Sequence, residues 1–139
     1  MASAAGVLYT PEVLAAAAGL AGFPWDDALP LRGEARSRSC GSTLALGLSM
    51  DDAGRIARIG IRPHACAIGQ AAAHVFATGA IGQTRDDIAA AQASLQAWLA
   101  GDGPMPTWPG MSLIEPARAY PGRHGAITLA WNAALSALS

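Results

Sequence analysis

The sequence predicts an α+β fold, a three-stranded antiparallel sheet with helices packed on one of its faces, and three observations carry that expectation. Strand-like alternation is concentrated between Leu31 and Ile61, while most helix-like stripes come after it. The two strongest alternating runs flank a tight turn, Asp51-Asp52-Ala53-Gly54, as in an antiparallel hairpin. Strands followed by helices give a sheet covered on one side by helices rather than alternating βα units.

Each element has a local reason. Thr10-Pro11-Glu12 reads as an N-cap, a proline at the first helical position and an early acid, opening a helix through Leu20 that Gly19 and Gly22 weaken and stop. From Leu31 to Arg38 charged and small or apolar side chains alternate, so that Arg32, Glu34, Arg36 and Arg38 share one wet face. Thr43 to Met50 alternates more strongly through Leu44, Leu46, Leu48 and Met50, and Ile56, Ile59 and Ile61 supply the third strand. A helix is expected just after Cys66, where Ile68, Ala72 and Val75 recur at helical spacing and Gly79 offers a stop. Another opens at Thr84, with Asp86 and Asp87 complementing the dipole and Ile88, Ala91, Leu95 and Trp98 forming a stripe that ends at Gly101. Glycine and proline make residues 101–121 an irregular connection with at most a short helix near Met111 to Ala117. The last helix starts near His124, with Ile127, Trp131, Ala134, Leu135 and Leu138 facing inward.

Composition narrows the function. A chain of 139 residues, 52% hydrophobic and 14% charged, is expected to form one domain, 1–139, with a core of its own. There is no lysine, the formal net charge is −1 and the nine arginines are scattered, which argues against nucleic-acid binding. The apolar run from Val13 to Phe23 is too short to span a bilayer and no basic residue precedes it, so a cytoplasmic protein without a membrane partner is expected. No phosphate-binding glycine pattern accompanies the many glycines, and the three histidines form no motif with a serine and an acid. Of four tryptophans, Trp98 and Trp131 sit on apolar helical stripes and read as core, whereas Trp108, between Pro106 and Pro109, reads as a loop aromatic available to a partner. His74 falls within a helix and reads as a partly buried or surface residue.

The two cysteines are the best candidate site. If the turn at residues 51–54 closes a hairpin, the start of the second strand and the end of the third lie side by side, and Cys40 and Cys66 sit on neighbouring loops. In a reducing compartment such a pair is a metal site, a redox pair or two buried thiols. At a helix N-terminus, exposed backbone N–H groups favour a Cys66 thiolate, and Arg62 or Arg123 could add positive charge. A thiol enzyme with Cys66 as nucleophile is the remaining chemical option. His64 and His124 are the neutral nitrogen donors nearest in sequence to the expected site.

The order of several short motifs resembles a known family. Tyr9-Thr10-Pro11-Glu12-Val13-Leu14, then Cys40-Gly41-Ser42, Cys66-Ala67-Ile68, Gly82-Gln83-Thr84, and Pro121-Gly122-Arg123 leading to Thr128-Leu129-Ala130-Trp131, are similar to the IscU/SufU/NifU-N-terminal iron-sulfur cluster assembly scaffolds, over nearly the whole chain. The long connection between Thr84 and Pro121 resembles the SufU branch more than the IscU branch. The resemblance implies a small sheet covered by helices, a non-enzymatic scaffold that binds iron, zinc or a transient iron-sulfur cluster and accepts sulfur, and a cysteine desulfurase with other assembly factors as partners. Within the family pattern Cys40 and Cys66 match the first two cysteines. Ser42 stands where the family has an aspartate, Ala126 where it has a third cysteine, and Gly125 where IscU-type members have a histidine. A cluster or structural zinc ion generally needs about four donors. The candidate ligands are thus Cys40 and Cys66, with His64 and His124 as possible supplements, or the same two cysteines from each chain of a dimer. The alternative is a metal-free relative that acts as a partner-binding adaptor or regulator.

Overall fold

The computed structural model describes residues 8–38 and 41–139, and its elements follow from short-range chemistry at their ends. Thr10 caps helix α1 (Pro11–Gly19): its hydroxyl oxygen accepts from Val13 N at 3.1 Å, and Pro11 occupies the first turn, where no N–H is needed. A 3-10 turn, Leu20–Gly22, follows. Strands β1 (Leu31–Arg36), β2 (Thr43–Met50) and β3 (Ile56–His64) form an antiparallel meander in the order β1-β2-β3. The Asp51 carboxylate builds the β2–β3 turn by accepting from Ala53 N at 2.9 Å and Arg55 N at 3.0 Å, and Gly54 takes the left-handed conformation, φ 76°. Strand β1 ends two residues sooner than its charge alternation implies, yet the chain continues inward, with Ser37 buried and its N–H donating to the Ser42 carbonyl at 2.8 Å.

Register decides which side chains face the core. Leu44, Leu46 and Leu48 stand opposite Pro63, Ile61 and Ile59, and the leucines and isoleucines of this set are buried under the helices. One extra residue on β3, Ala57, makes a bulge near Met50 and brings Ile56 into the core. Helix α2 (Ala67–Ala80) and helix α3 (Arg85–Leu99) follow the sheet. Thr84 and Asp87 cap α3 reciprocally: Asp87 N donates to Thr84 Oγ1 at 3.2 Å and Thr84 N to Asp87 Oδ2 at 3.0 Å. The bond from the Thr84 backbone, then that from its hydroxyl, then the nearby Arg55 charge, hold the Asp87 carboxyl below its ordinary pKa.

Helix α4 (His124–Ile127) and helix α5 (Leu129–Ala137) replace the single final helix expected. The break falls at Thr128, whose hydroxyl donates to the Gly125 carbonyl at 3.2 Å, a local bond that competes with the helical ladder. Helix α5 crosses β1 at Gly33, where an added Cβ would collide with the Ala133 carbonyl. The expected short helix near residues 111–117 is a 3-10 run, Met111–Ala119, with Pro116 inside it, followed by a 3-10 turn at Pro121–Arg123.

Trp108 corrects the sequence expectation. It is core, not a loop aromatic waiting for a partner: its loop crosses the last turn of α2 at Gly79, where the missing side chain admits the indole, and its Nε1–H donates to the Val75 carbonyl at 2.9 Å. The ring stacks on Phe76 at 5.6 Å and meets Trp131 edge-on at 5.4 Å. Trp98 and Trp131 are buried as expected. The sheet face away from the helices is partly covered by the segment before β1, with Leu29 buried over Gly47 and Gly60. No helix among the described residues is long and apolar enough to cross a membrane.

Candidate functional site

The pairing of Thr43 with His64 fixes one end of the sheet, so the chain just before β2 and just after β3 emerges at the same place. Gly41, left-handed at φ 71°, and buried Ser42 lie on the β2 side. Ala65 and Cys66 lie on the β3 side. Cys40 falls outside the described residues. Cys66 is a half-buried free thiol at the N-cap of α2, with extended backbone (φ −65°, ψ 169°) and no capping hydrogen bond from its side chain. Its carbonyl accepts from Gln70 N at 2.9 Å, while Gln70 Nε2 donates to the Ala65 carbonyl at 2.9 Å. These two bonds hold the loop against the first turn of the helix.

Ala126, where the resemblance puts a third thiol, packs at this same turn. A Cβ built on Gly69 would lie 2.9 Å from the Ala65 Cβ and 3.3 Å from the Ala126 Cβ, and Ala126 is 1% exposed. Position 126 therefore packs against the first turn of the helix that Cys66 caps, but it carries a methyl group with no lone pair to donate. Gly69 was the signal that sequence reasoning passed over: a glycine one turn into a helix marks a close approach.

The histidines face elsewhere. His64 ends β3 in a cross-strand row with Thr43 and Arg36 and is exposed on the sheet face opposite the helices. His124 opens α4 and lines a cavity of about 570 Å³ with Leu99, Gly101, Glu115 and Arg118. Its Nε2–H donates to the Arg118 carbonyl at 2.7 Å, which leaves Nδ1 as the nitrogen with a lone pair. His74, half-buried on α2, meets the Phe23 ring edge-on at 6.0 Å. The Arg62 guanidinium lies 4.4 Å over the Trp25 ring on the outer sheet face. Among the described residues no three of His, Cys, Asp or Glu lie close enough together to hold a metal ion. The described donors on one chain thus do not fit a four-ligand metal or cluster site.

No family model matches the chain, and no curated protein matches it by sequence. Solved structures do. A nitrogen-fixing NifU-like protein (N-terminal) from Brucella abortus superposes with a TM-score of 0.87 and 30% identity, covering 98% of this chain and 95% of its own. A candidate iron-sulfur cluster assembly scaffold protein for the SUF system from Fervidobacterium islandicum AW-1 superposes with a TM-score of 0.82 and 22% identity, over 96% of this chain and 98% of its own, which shows a shared fold. With near-complete coverage of the NifU-like relative, and with the ordered motifs set on the matching sheet and helices, the chain belongs to the IscU/SufU/NifU-N-terminal family of iron-sulfur cluster assembly scaffolds.

Proposed function

We propose that the protein serves iron-sulfur cluster assembly in the cytoplasm as a transient acceptor, with Cys66, partnered by Cys40, taking sulfur or a metal ion from a cysteine desulfurase or another assembly factor and passing it on. The observation that carries this reading is the half-buried free Cys66 thiol at the N-cap of α2, on a first turn that packs through Gly69 against Ala126, a position without a donor. One thiolate at an accessible helix start is enough for sulfur acceptance. The Cys66 thiolate attacks the outer sulfur of a donor persulfide, the donor's S–S bond breaks, and the donor leaves as a thiolate while the persulfide is now on Cys66. His64, at the end of β3, and His124, at the start of α4, supply nitrogens only if those chain ends rearrange.

A second reading is favoured by one specific observation, the burial of Ala126 in the place of a thiol. In it the protein is a metal-free adaptor that retains the family's partner-binding surface. Metal uptake by protein purified without oxygen separates the two. The acceptor reading predicts iron or zinc bound below one ion per chain, readily removed by a chelator, and lost in Cys40→Ser/Cys66→Ser. Equal uptake by the double variant would overturn the assignment of these thiols, and protein that takes up neither metal nor sulfur leaves the adaptor.

A further inference from the structure

The sheet face opposite the helices carries an arrangement that cluster assembly does not explain. Arg36, Thr43 and His64 form one row across the three strands, and Glu34, Ala45 and Arg62 form the next. Thr43 and Ala45 on the middle strand are short, whereas their neighbours on β1 and β3 are long and mostly charged. The middle strand is therefore the floor of a trough whose walls rise from strands about 9–10 Å apart, two strand spacings. Leu29 closes one end over Gly47 and Gly60. The other end opens as a cavity of about 380 Å³ lined by Glu34, Arg36, Thr43, Ala45, Arg62 and His64, within the size range of small-molecule sites.

Charge within this trough is unbalanced. Two guanidinium groups and an imidazole face one carboxylate. Among the described residues neither Arg36 nor Glu34 joins an ion pair, although Arg58 on the same face is neutralised by Asp26 at 2.7 Å. Arg62 is held by the Trp25 ring, with Arg32 approaching the same ring at 5.6 Å, so part of its side-chain freedom is already lost before any ligand arrives. Guanidinium forks bind carboxylates and phosphates through paired N–H donors, and Thr43 adds a hydroxyl on the floor.

We propose that this trough binds a small organic or inorganic anion with two oxyanionic groups, one held by Arg36 and the other by Arg62, with Thr43 and His64 as neighbouring hydrogen-bonding groups. The groups that would hold the anion, Arg36, Arg62 and Thr43, lie on the outer sheet face and none is a candidate ligand of the Cys66 site.

Calorimetric titration of the metal-free full chain at constant ionic strength tests it, with citrate and pyrophosphate as probes and acetate as the singly charged comparison. One saturable site is expected for at least one of the two probes and none for acetate; which probe binds identifies carboxylate or phosphate as the preferred group. Arg36→Gln and Arg62→Gln should each weaken binding about five- to tenfold, the loss of one charge-assisted contact. Glu34→Gln should tighten it about two- to fivefold, and Arg58→Gln should leave it unchanged. All four side chains are exposed, so these changes spare the core. Absence of saturable binding by both probes would overturn the proposal, as would an equal loss in Arg58→Gln, which would mean diffuse surface charge rather than a site.

Discussion

Replacing Trp131 by alanine should destabilise the protein by about 3–5 kcal/mol, more than substitution of any exposed residue, and lower its thermal midpoint by roughly 10–20 °C. Trp131 is fully buried and lies edge-on to both Phe76, at 5.3 Å and 78°, and Trp108, at 5.4 Å and 70°. Removing the ring opens a cavity that α2, the Trp108 loop and α5 line together, and those elements are fixed by other contacts. Gly79 admits Trp108 and Gly33 admits α5, so neither can slide inward to fill the void. Trp131→Phe separates ring volume from polarity. Among the described residues Trp131 Nε1 has no hydrogen-bond partner, so phenylalanine loses packing alone and should cost less than about 2 kcal/mol. Chemical denaturation of the two variants measures both effects. Trp131→Ala with near-native stability would mean that the three-ring cluster does not hold the helices on the sheet.

Ala126→Cys should strengthen the metal binding proposed for Cys66. The substitution puts a third thiol at the turn of α2 that carries Cys66, where the Gly69 and Ala65 contacts already hold the backbone. Each added thiolate ligand strengthens binding of zinc or iron, and an increase in affinity of at least tenfold is expected, measured by competition with a chromophoric chelator. The gain comes with a loss elsewhere. Ala126 is fully enclosed, and a sulfur atom inserted there crowds Gly69, at a cost of about 1–3 kcal/mol in the metal-free protein. Metal should then offset that loss, so the variant's thermal midpoint becomes metal-dependent while the parent's changes little. A variant that folds and binds metal no better than the parent would mean that position 126 cannot reach a metal held by Cys66.

Much of the fold was legible because its signals are local. Thr10-Pro11 and the Thr84–Asp87 pair announce helix starts through their own hydrogen bonds, and the leucines of β2 report a two-residue period with one face buried. Misreadings arose where tertiary contacts decide. Trp108 sits between prolines in a stretch that looks like an open loop, and only the placement of Gly79, twenty-nine residues earlier, explains its burial. Thr128 breaks the last helix through a back-bond that its apolar stripe does not foretell. The site followed the same division. Strand pairing sets Gly41-Ser42 and Ala65-Cys66 at one sheet end, as the hairpin requires, whereas the approach of Gly69 to Ala126 joins segments more than fifty residues apart. For the histidines the spacing told half: alternation from Ile59 and Ile61 puts His64 on the outer face, whereas nothing in the sequence foretells the bond of His124 to the Arg118 carbonyl.

The central claim, that Cys66 receives sulfur, is tested most directly by the intact mass of the oxygen-free protein after exposure to a persulfide-loaded cysteine desulfurase. The account predicts a gain of one sulfur atom, reversible by a reducing thiol, that localises to the peptide containing Cys66 and is absent in Cys66→Ser. No gain on the parent protein, or an equal gain on Cys66→Ser, would contradict it.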